Sequence, residues 1–506
     1  MSIRSSWLLW LSCVGASACT ENSGFGGEGG SGWDASESGE GSSGATSGEA
    51  GEESDTRGDV GDEGGPIGSC SPVLLSDPLV AEQVRMMLGL APGAPIDAED
   101  IEYLYYLDLQ LPGGNSLSGL ECATNLETLR LDGPTPESLE PLAELPHLEY
   151  FEVANGRLSV GPQTMPLGEM VALRYLFING GVVGTRFWLD IGASGSLRSL
   201  TVVGSEMDAD PPFSGPETLI DLAIEHTGLE SISKIGSLES LSDLFVRDTP
   251  LVDLGGLTGL TSLSRVTVVE SQVRSLPRLD DAPLTSLTLR SNPLQDLGGV
   301  AGHVGLVELN IEETEVGTLV ALPALGSLWA ADSKLSDLSA ASACPSLLYA
   351  DLSRTPVSDL SPLAGHPSLR RLVVNEATQL DATTLSDVPA LEVLEIENSG
   401  VTALPPGLPV STLLASGNQI ADLEPLMSWS WPDRWDLSDN AVVDPSPLLG
   451  LSTPAIQSCA VIDLTGNPLA ASSAQAVLDQ VCTQELVWVY TDIRGVYCET
   501  TCPVPP

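Results

Sequence analysis

Apolar residues recur at fixed places along most of the chain. In residues 241–262 they are Leu241, Leu244, Val246, Leu251, Leu254, Leu257 and Leu260, with Thr249 between the two groups. The preceding stretch lays down the same pattern with Leu219, Leu222, Ile224, Thr227, Leu229, Ile232, Ile235 and Leu238, an offset of about 22 residues. A period in this range marks a stack of similar coils, because one coil cannot bury its apolar side alone and its neighbours must cover it. Each unit predicts one short strand, for example Leu244-Phe245-Val246, and the strands stack as a parallel sheet at about 4.8 Å spacing. The rest of each unit is short and rich in Gly, Pro and Ser, which predicts turns and 3-10 segments rather than long helices.

Unit starts fall near Leu104, Leu126, Leu148, Leu173, Leu197, Leu219, Leu241, Leu263, Leu284 and Leu306. Others follow near Leu325, Leu347, Leu369, Leu391, Val410, Pro432 and Cys459, about 17 in all. The ninth position is Asn in some units (Asn292, Asn418, Asn440, Asn467) and Thr in others (Thr227, Thr249, Thr314, Thr355). Each can hydrogen-bond backbone that turns away from the strand and is otherwise left unpaired. Units starting at Leu148, Leu173 and Pro432 are longer, so their insertions are expected to loop outward.

L-x-x-L-x-L with a polar residue three places on resembles the leucine-rich repeat. That resemblance implies an α/β solenoid with a parallel β-sheet on its concave face and turns and 3-10 segments on its convex face. Ahead of the repeats, Asp77-Pro78 supplies a helix N-cap and a first-turn proline. Val80, Val84, Met87 and Leu88 share one helical face, and Gly89 can end the helix left-handed. Asp97 can cap a second short helix through Ile101. With the downstream SLSGLECATNLETLRL, this segment is similar to the helical N-terminal cap of internalin-type bacterial leucine-rich repeat proteins. Cys70 and Cys122 flank it and are expected to form a disulfide. At the other end, residues 473–482 suit a helix and 486–490 an apolar strand. Cys459, Cys482, Cys498 and Cys502 there allow two disulfides in one of three pairings. Cys344, at an inward leucine position, is expected to be a buried free thiol. Nine cysteines in this placement suit an oxidising compartment.

The first 18 residues read as an export signal, with Arg4, an apolar run from Trp7 to Leu11, and small residues before Cys19. This resembles the lipobox of bacterial lipoproteins, which implies lipidation of Cys19; an ordinary signal peptide cut near Ala18 is the alternative. Residues 19–66 are Gly, Ser, Glu and Asp with little to bury, a disordered tether. Its root-mean-square reach as a flexible coil is roughly 35–40 Å. Thr20 after Cys19 resembles lipoproteins sent to the outer membrane, while a periplasmic or secreted protein is the alternative. The remaining divisions are a cap over 67–103, repeats over 104–458, and a last repeat with C-terminal cap over 459–506. The net charge is −49, and only about a dozen of the 69 acidic residues lie in the tether. Such a surface repels phosphate backbones and anionic lipid heads, so nucleic acid is excluded as a partner and membrane contact is expected through the lipid alone.

The four histidines carry no expected chemistry. His303 and His366 share the inward leucine position three units apart, which places them roughly 14 Å from each other and too far apart for one zinc ion. No nucleophile elbow or phosphate-cradling loop is present, so neither an enzyme nor a cofactor is expected. Binding should reside in side chains that flank the strand leucines. Those positions give Tyr150, Tyr175 and Phe177 as an aromatic patch, then Asp243, Phe245 and Arg247, then Glu308, Asn310 and Glu312, and later Glu395 and Glu397. The reading is a surface-anchored lipoprotein that binds a protein partner through its concave face. A structural envelope component without a ligand, or a glycan-binding module on the aromatic patch, are the alternatives.

Overall fold

The computed structural model describes residues 70, 73–136, 138–158, 165–208, 210–213, 215–377, 380–451, 460–482 and 487–492. All belong to one unit, Cys70–Pro506. Cys19, the tether, Cys459, Cys498 and Cys502 lie outside the described residues, and the pairing expected of the C-terminal cysteines falls there with them.

Among the described residues, successive coils contribute strands to one parallel sheet of 18 strands. Register follows the period: Asp221, Asp243 and Arg265 are opposite one another in successive strands, as are Leu222, Leu244 and Val266. Within strand Asp243–Arg247 the half-exposed Asp243, Phe245 and Arg247 alternate with buried Leu244 and Val246. The repeat's other leucines (Leu241, Leu251, Leu254, Leu257, Leu260) are also buried, and all join one core that runs the length of the stack. Each such side chain contributes about 1.5–3 kcal/mol relative to exposure.

Two polar devices recur among the coils. Asn418 is buried, donates from Nδ2 to the carbonyls of Ile396 (2.8 Å), Ala415 (2.9 Å) and Ser416 (3.3 Å), and accepts at Oδ1 from the N–H groups of Ser399 and Val401 (3.0 Å each). Asn292, Asn440 and Asn467 make comparable sets. The threonines differ from expectation. Thr314 and Thr355 bond the backbone, but Thr249 meets the Ser271 hydroxyl instead, and the buried Thr227 Oγ1 has no hydrogen-bond partner among the described residues. A hydroxyl has one donor hydrogen where a carboxamide has two beside its acceptor oxygen, so it serves fewer backbone groups. Thr227→Val should therefore raise stability by about 1 kcal/mol, since it removes an unpaired buried hydroxyl; urea denaturation checks the sign.

The second device is an aspartate that starts the 3-10 turn on the far side of the coil. Asp253, Asp296, Asp337, Asp359, Asp422 and Asp444 each accept from the N–H two residues on, at 2.8–2.9 Å. These bonds hold the Asp337, Asp359 and Asp444 carboxyls below their usual range, through the N–H of Ser339, Ser361 and Ser446 respectively. Part of the acidity is thus a turn-forming element of the repeat.

Helix α1 (Pro78–Leu88) starts at Asp77, whose carboxylate accepts from the N–H of Leu79 and Val80, and stops at Gly89 with φ 71°. Val80 and Val84 are buried, whereas Met87 is 45% exposed, so the expected four-residue face is narrower. Helix α2 (Ala98–Ile101) carries a capping box between Asp97 and Asp100. Gln83 of α1 covers the free edge of the first strand, Tyr106–Gln110: its side chain accepts from the Gln110 N–H (2.7 Å) and donates to the Gln110 carbonyl (3.0 Å). An open strand edge is thereby occupied. Cys70 and Cys122 are joined by a disulfide.

Burial raises the pKa of Asp77, but hydrogen bonds from Asn115 and the N–H groups of Val80, Ser116 and Leu79 outweigh it and hold the carboxyl below its ordinary value. Stability from a depressed carboxyl is present above the unfolded value and lost as pH falls through the folded one. Asp77→Ala should therefore cost about 1 kcal/mol at neutral pH. The difference should shrink as pH drops below about 4, read from denaturation midpoints of both proteins across pH.

The insertion in the unit starting at Leu173 does not loop outward. It forms helix α3 (Thr185–Ile191), whose Phe187, Trp188 and Ile191 are buried. Trp188 packs edge-on against Phe187 and Phe213, with centroids at 5.3 and 4.9 Å. Two-residue strands Arg157–Leu158, Val182–Val183 and Glu206–Met207 pair beside it in a small second sheet. Three large apolar side chains close together are better buried than looped into water, and the 22-residue count conceals this. The final helix α4 (Ala471–Cys482) and strand Val487–Tyr490 continue the stack.

Candidate binding face

The residues expected to bind are at outward strand positions, except Glu312 and Glu397 just beyond their strands, and they are spread over the sheet. Tyr150 and Tyr175 are direct neighbours in register, and Phe177 is opposite Glu152. The patch is not freely exposed: Tyr175 is 40% exposed, while Tyr150 and Phe177 are half-buried. Burial, then the Glu152 carboxylate, push the Tyr150 hydroxyl well above its ordinary value. Beside it Arg130 bonds three carboxylates: Glu152 at 3.0 Å, Asp108 at 3.1 Å and Asp132 at 3.2 Å. An aromatic column is thus bordered by an ion-pair network that fixes its polar flank.

Asp243, Phe245 and Arg247 are three strands further on. The two charges are paired across coils, Asp243 with Arg265 at 2.6 Å and Arg247 with Glu270 at 3.2 Å. These pairs are exposed and each is worth under about 1 kcal/mol. Glu308 and Glu312 are three strands beyond that. Glu312 accepts from Asn310 Nδ2 at 2.9 Å and lies 3.9 Å from Arg290.

A second aromatic group stands outside the residues expected from the sequence. Trp329 and Tyr349 lie on adjacent strands with ring centroids 5.8 Å apart at 51°. Arg371, on the next strand, sits over the Tyr349 ring at 5.9 Å. Its guanidinium also pairs at 2.6 Å with Glu395, whose side chain is only 11% exposed. Burial, then Asp351, raise the Tyr349 hydroxyl to about 12, with Glu395 and Glu312 adding to the rise and Arg371 opposing it. The signal was present: both aromatics flank strand residues of regular units. Ala330 and Ala350 replace leucine there and blur the motif.

At the rim of the sheet, His226, Asp248, Glu270, Ser291, Glu313, Asp332, Arg354, Glu376 and Asn398 occupy the same place in successive coils, all left-handed with φ between 48° and 59°. Most are cross-paired, for example Arg354 with Asp332 at 2.6 Å and His226 Nδ1 with Asp248 at 2.8 Å.

His303 and His366 are buried and bond the backbone. In His303 the Gly305 N–H donates to Nδ1, so Nε2 carries the proton and donates to the Ala282 carbonyl at 2.9 Å. His366 repeats this with the Leu369 N–H and the Cys344 carbonyl. Cys344 is a buried free thiol. Among the described residues no group of three His, Cys, Asp or Glu is placed to hold a metal. No described helix is long and apolar enough to cross a membrane.

Coils of about 22 residues, one parallel sheet, an asparagine ladder and 3-10 turns define a leucine-rich repeat solenoid. No family model matches the chain, and no curated protein does. Solved structures are similar to it. The complex of Toll with Spatzle, from Drosophila, aligns with 74% of this chain and 63% of its own at 15% identity, TM-score 0.52. The TLR13–ssRNA13 complex aligns with 76% of this chain and 67% of its own at 17% identity, TM-score 0.51. An internalin from Listeria monocytogenes aligns with 76% of this chain and 95% of its own at 20% identity, TM-score 0.43. At these identities the likeness is one of fold.

Proposed function

We propose that this chain is a surface-anchored protein that binds a protein partner through the outward face of its sheet. The observation that carries this reading is that half-buried aromatics cluster on that face in two places, each bordered by fixed charges. Large rigid rings beside polar neighbours are the usual anchors of protein interfaces. Toll, in its solved structure, is bound to Spatzle, and TLR13 to ssRNA13. For this chain the acidity favours the protein over a phosphate backbone. The anchor is Cys19, lipidated after export, with the acidic tether holding the solenoid off the membrane.

Crosslinking on intact cells tests the binding face. Replacing Tyr150, Tyr175 and Phe177 together with alanine should remove a specific adduct that the unaltered chain forms; an adduct that survives, or none from either protein, overturns the reading. Cys19→Ser should abolish incorporation of labelled fatty acid, and unchanged labelling removes Cys19 as the anchor.

A further inference from the structure

Around Trp329 and Tyr349 the sheet changes character. The outward residues on four successive strands are Glu308 and Asn310, Ser327 and Trp329, Tyr349 and Asp351, then Arg371 and Val373. Glu395 follows on the next strand. Glu312 lies just beyond the first of these strands and Glu397 just beyond the last. Carboxylates at these positions outnumber the one arginine among them, Arg371, and of the five only Glu312 lies near Arg290, at 3.9 Å. Arg371 is already engaged, because it pairs with Glu395 at 2.6 Å and covers the Tyr349 ring. Trp329 shares its strand with the small Ser327, is followed by the buried Ala331, and is in register with Asn310 and Asp351. Its ring is therefore an aromatic surface in a field of negative charge, with no cation stacked on it among the described residues.

We propose that Trp329 and Tyr349, with Asp351, Glu308 and Glu312, dock a lysine- or arginine-rich segment of a partner protein. This rests on the sheet-face reading above and adds the partner's chemistry. A guanidinium or ammonium on Trp329 gains from the ring quadrupole and from the neighbouring carboxylates together. A sugar gains from neither charge, and the 51° tilt between the rings denies it a flat two-ring platform. Acidic repeats elsewhere on the sheet steer the same partner at long range.

The test uses the full chain and a labelled peptide of alternating Gly and Arg, with a Gly-Glu peptide as its opposite, followed by fluorescence anisotropy at physiological salt. The Gly-Arg peptide should bind and the Gly-Glu peptide should not. Trp329→Ala should weaken binding about tenfold, Trp329→Phe should restore much of it, and Asp351→Asn with Glu308→Gln should weaken it further. Thr258→Ala, on the far side of its coil, should leave it unchanged. Equal affinity for the unaltered chain and both Trp329 variants overturns the proposal, since the attraction is then diffuse charge. So does Trp329-dependent binding of a neutral oligosaccharide in place of the peptide. If the peptide fails while the cell-surface adduct through the sheet persists, the cationic assignment falls and the sheet-face reading stands. If the adduct is absent, the sheet-face reading itself falls.

Discussion

Asn418→Ala is expected to be among the most damaging single changes in the solenoid, lowering the stability of its coils by roughly 3–5 kcal/mol. The side chain is buried and serves five backbone groups in two coils: it donates to the carbonyls of Ile396, Ala415 and Ser416 and accepts from the N–H groups of Ser399 and Val401. Alanine removes all of these bonds and brings no replacement. Each N–H or carbonyl left unpaired away from water costs about 1–3 kcal/mol, so two N–H groups alone account for much of the effect. Repeats interact mainly with nearest neighbours, and a weakened interface uncouples the blocks on either side. Urea denaturation should show a lower first midpoint and a broader or split transition. Hydrogen exchange at Ser399 and Val401 should accelerate before that at Leu244 or Val246. Thr355→Val is the graded comparison, losing one bond to the Leu352 carbonyl at 2.6 Å and about 1 kcal/mol.

Cys122→Ser is expected to cost the N-terminal coils up to about 4 kcal/mol, from the chain entropy of the closed loop. The disulfide to Cys70 closes a loop with a sequence separation of 52 residues. Inside that loop lie α1, α2 and the first strand, whose outer edge is held by Gln83. Without the link, α1 and α2 keep the apolar contacts of Val80, Val84 and Ile101 and a few polar bonds, while the first strand keeps its ladder to Thr128–Asp132. Exchange protection in α1 and the first strand should fall together, while coils beyond Leu241 keep theirs. A uniform loss across the whole sheet contradicts this localisation.

The repeat itself was legible because the same physical demand recurs in every coil. Leu222, Leu244 and Val266 occupy one column of the core, so each copy corroborates the others even where one is imperfect. Asn418 and Asn440 were legible for the same reason. What stayed hidden depends on contacts between coils or on breaks in the count. Asp243 finds Arg265, and Arg130 finds Asp108 and Glu152, each at a separation of 22 residues, so adding the period to a residue number recovers such pairs. Trp329 and Tyr349 were obscured by Ala330 and Ala350 in leucine columns. Phe187 and Trp188 were obscured by the insertion that carries them, since an unregistered stretch has no column to be read in. Met87 kept the helical spacing of a core residue but is 45% exposed, while its neighbour Leu88 packs against the core.

On the proposed reading, the outward face of the sheet, and not the opposite side of the coils, meets the partner. The most direct measurement places the photo-crosslinking residue p-benzoylphenylalanine at Thr201, an outward position on the sheet, or at Thr258, exposed on the far side of its coil. Each chain is then irradiated on intact cells. The sheet-face reading predicts a discrete adduct from Thr201, lost when Tyr150, Tyr175 and Phe177 are alanine, and none from Thr258. Adducts in equal yield from both positions, or from Thr258 alone, contradict it.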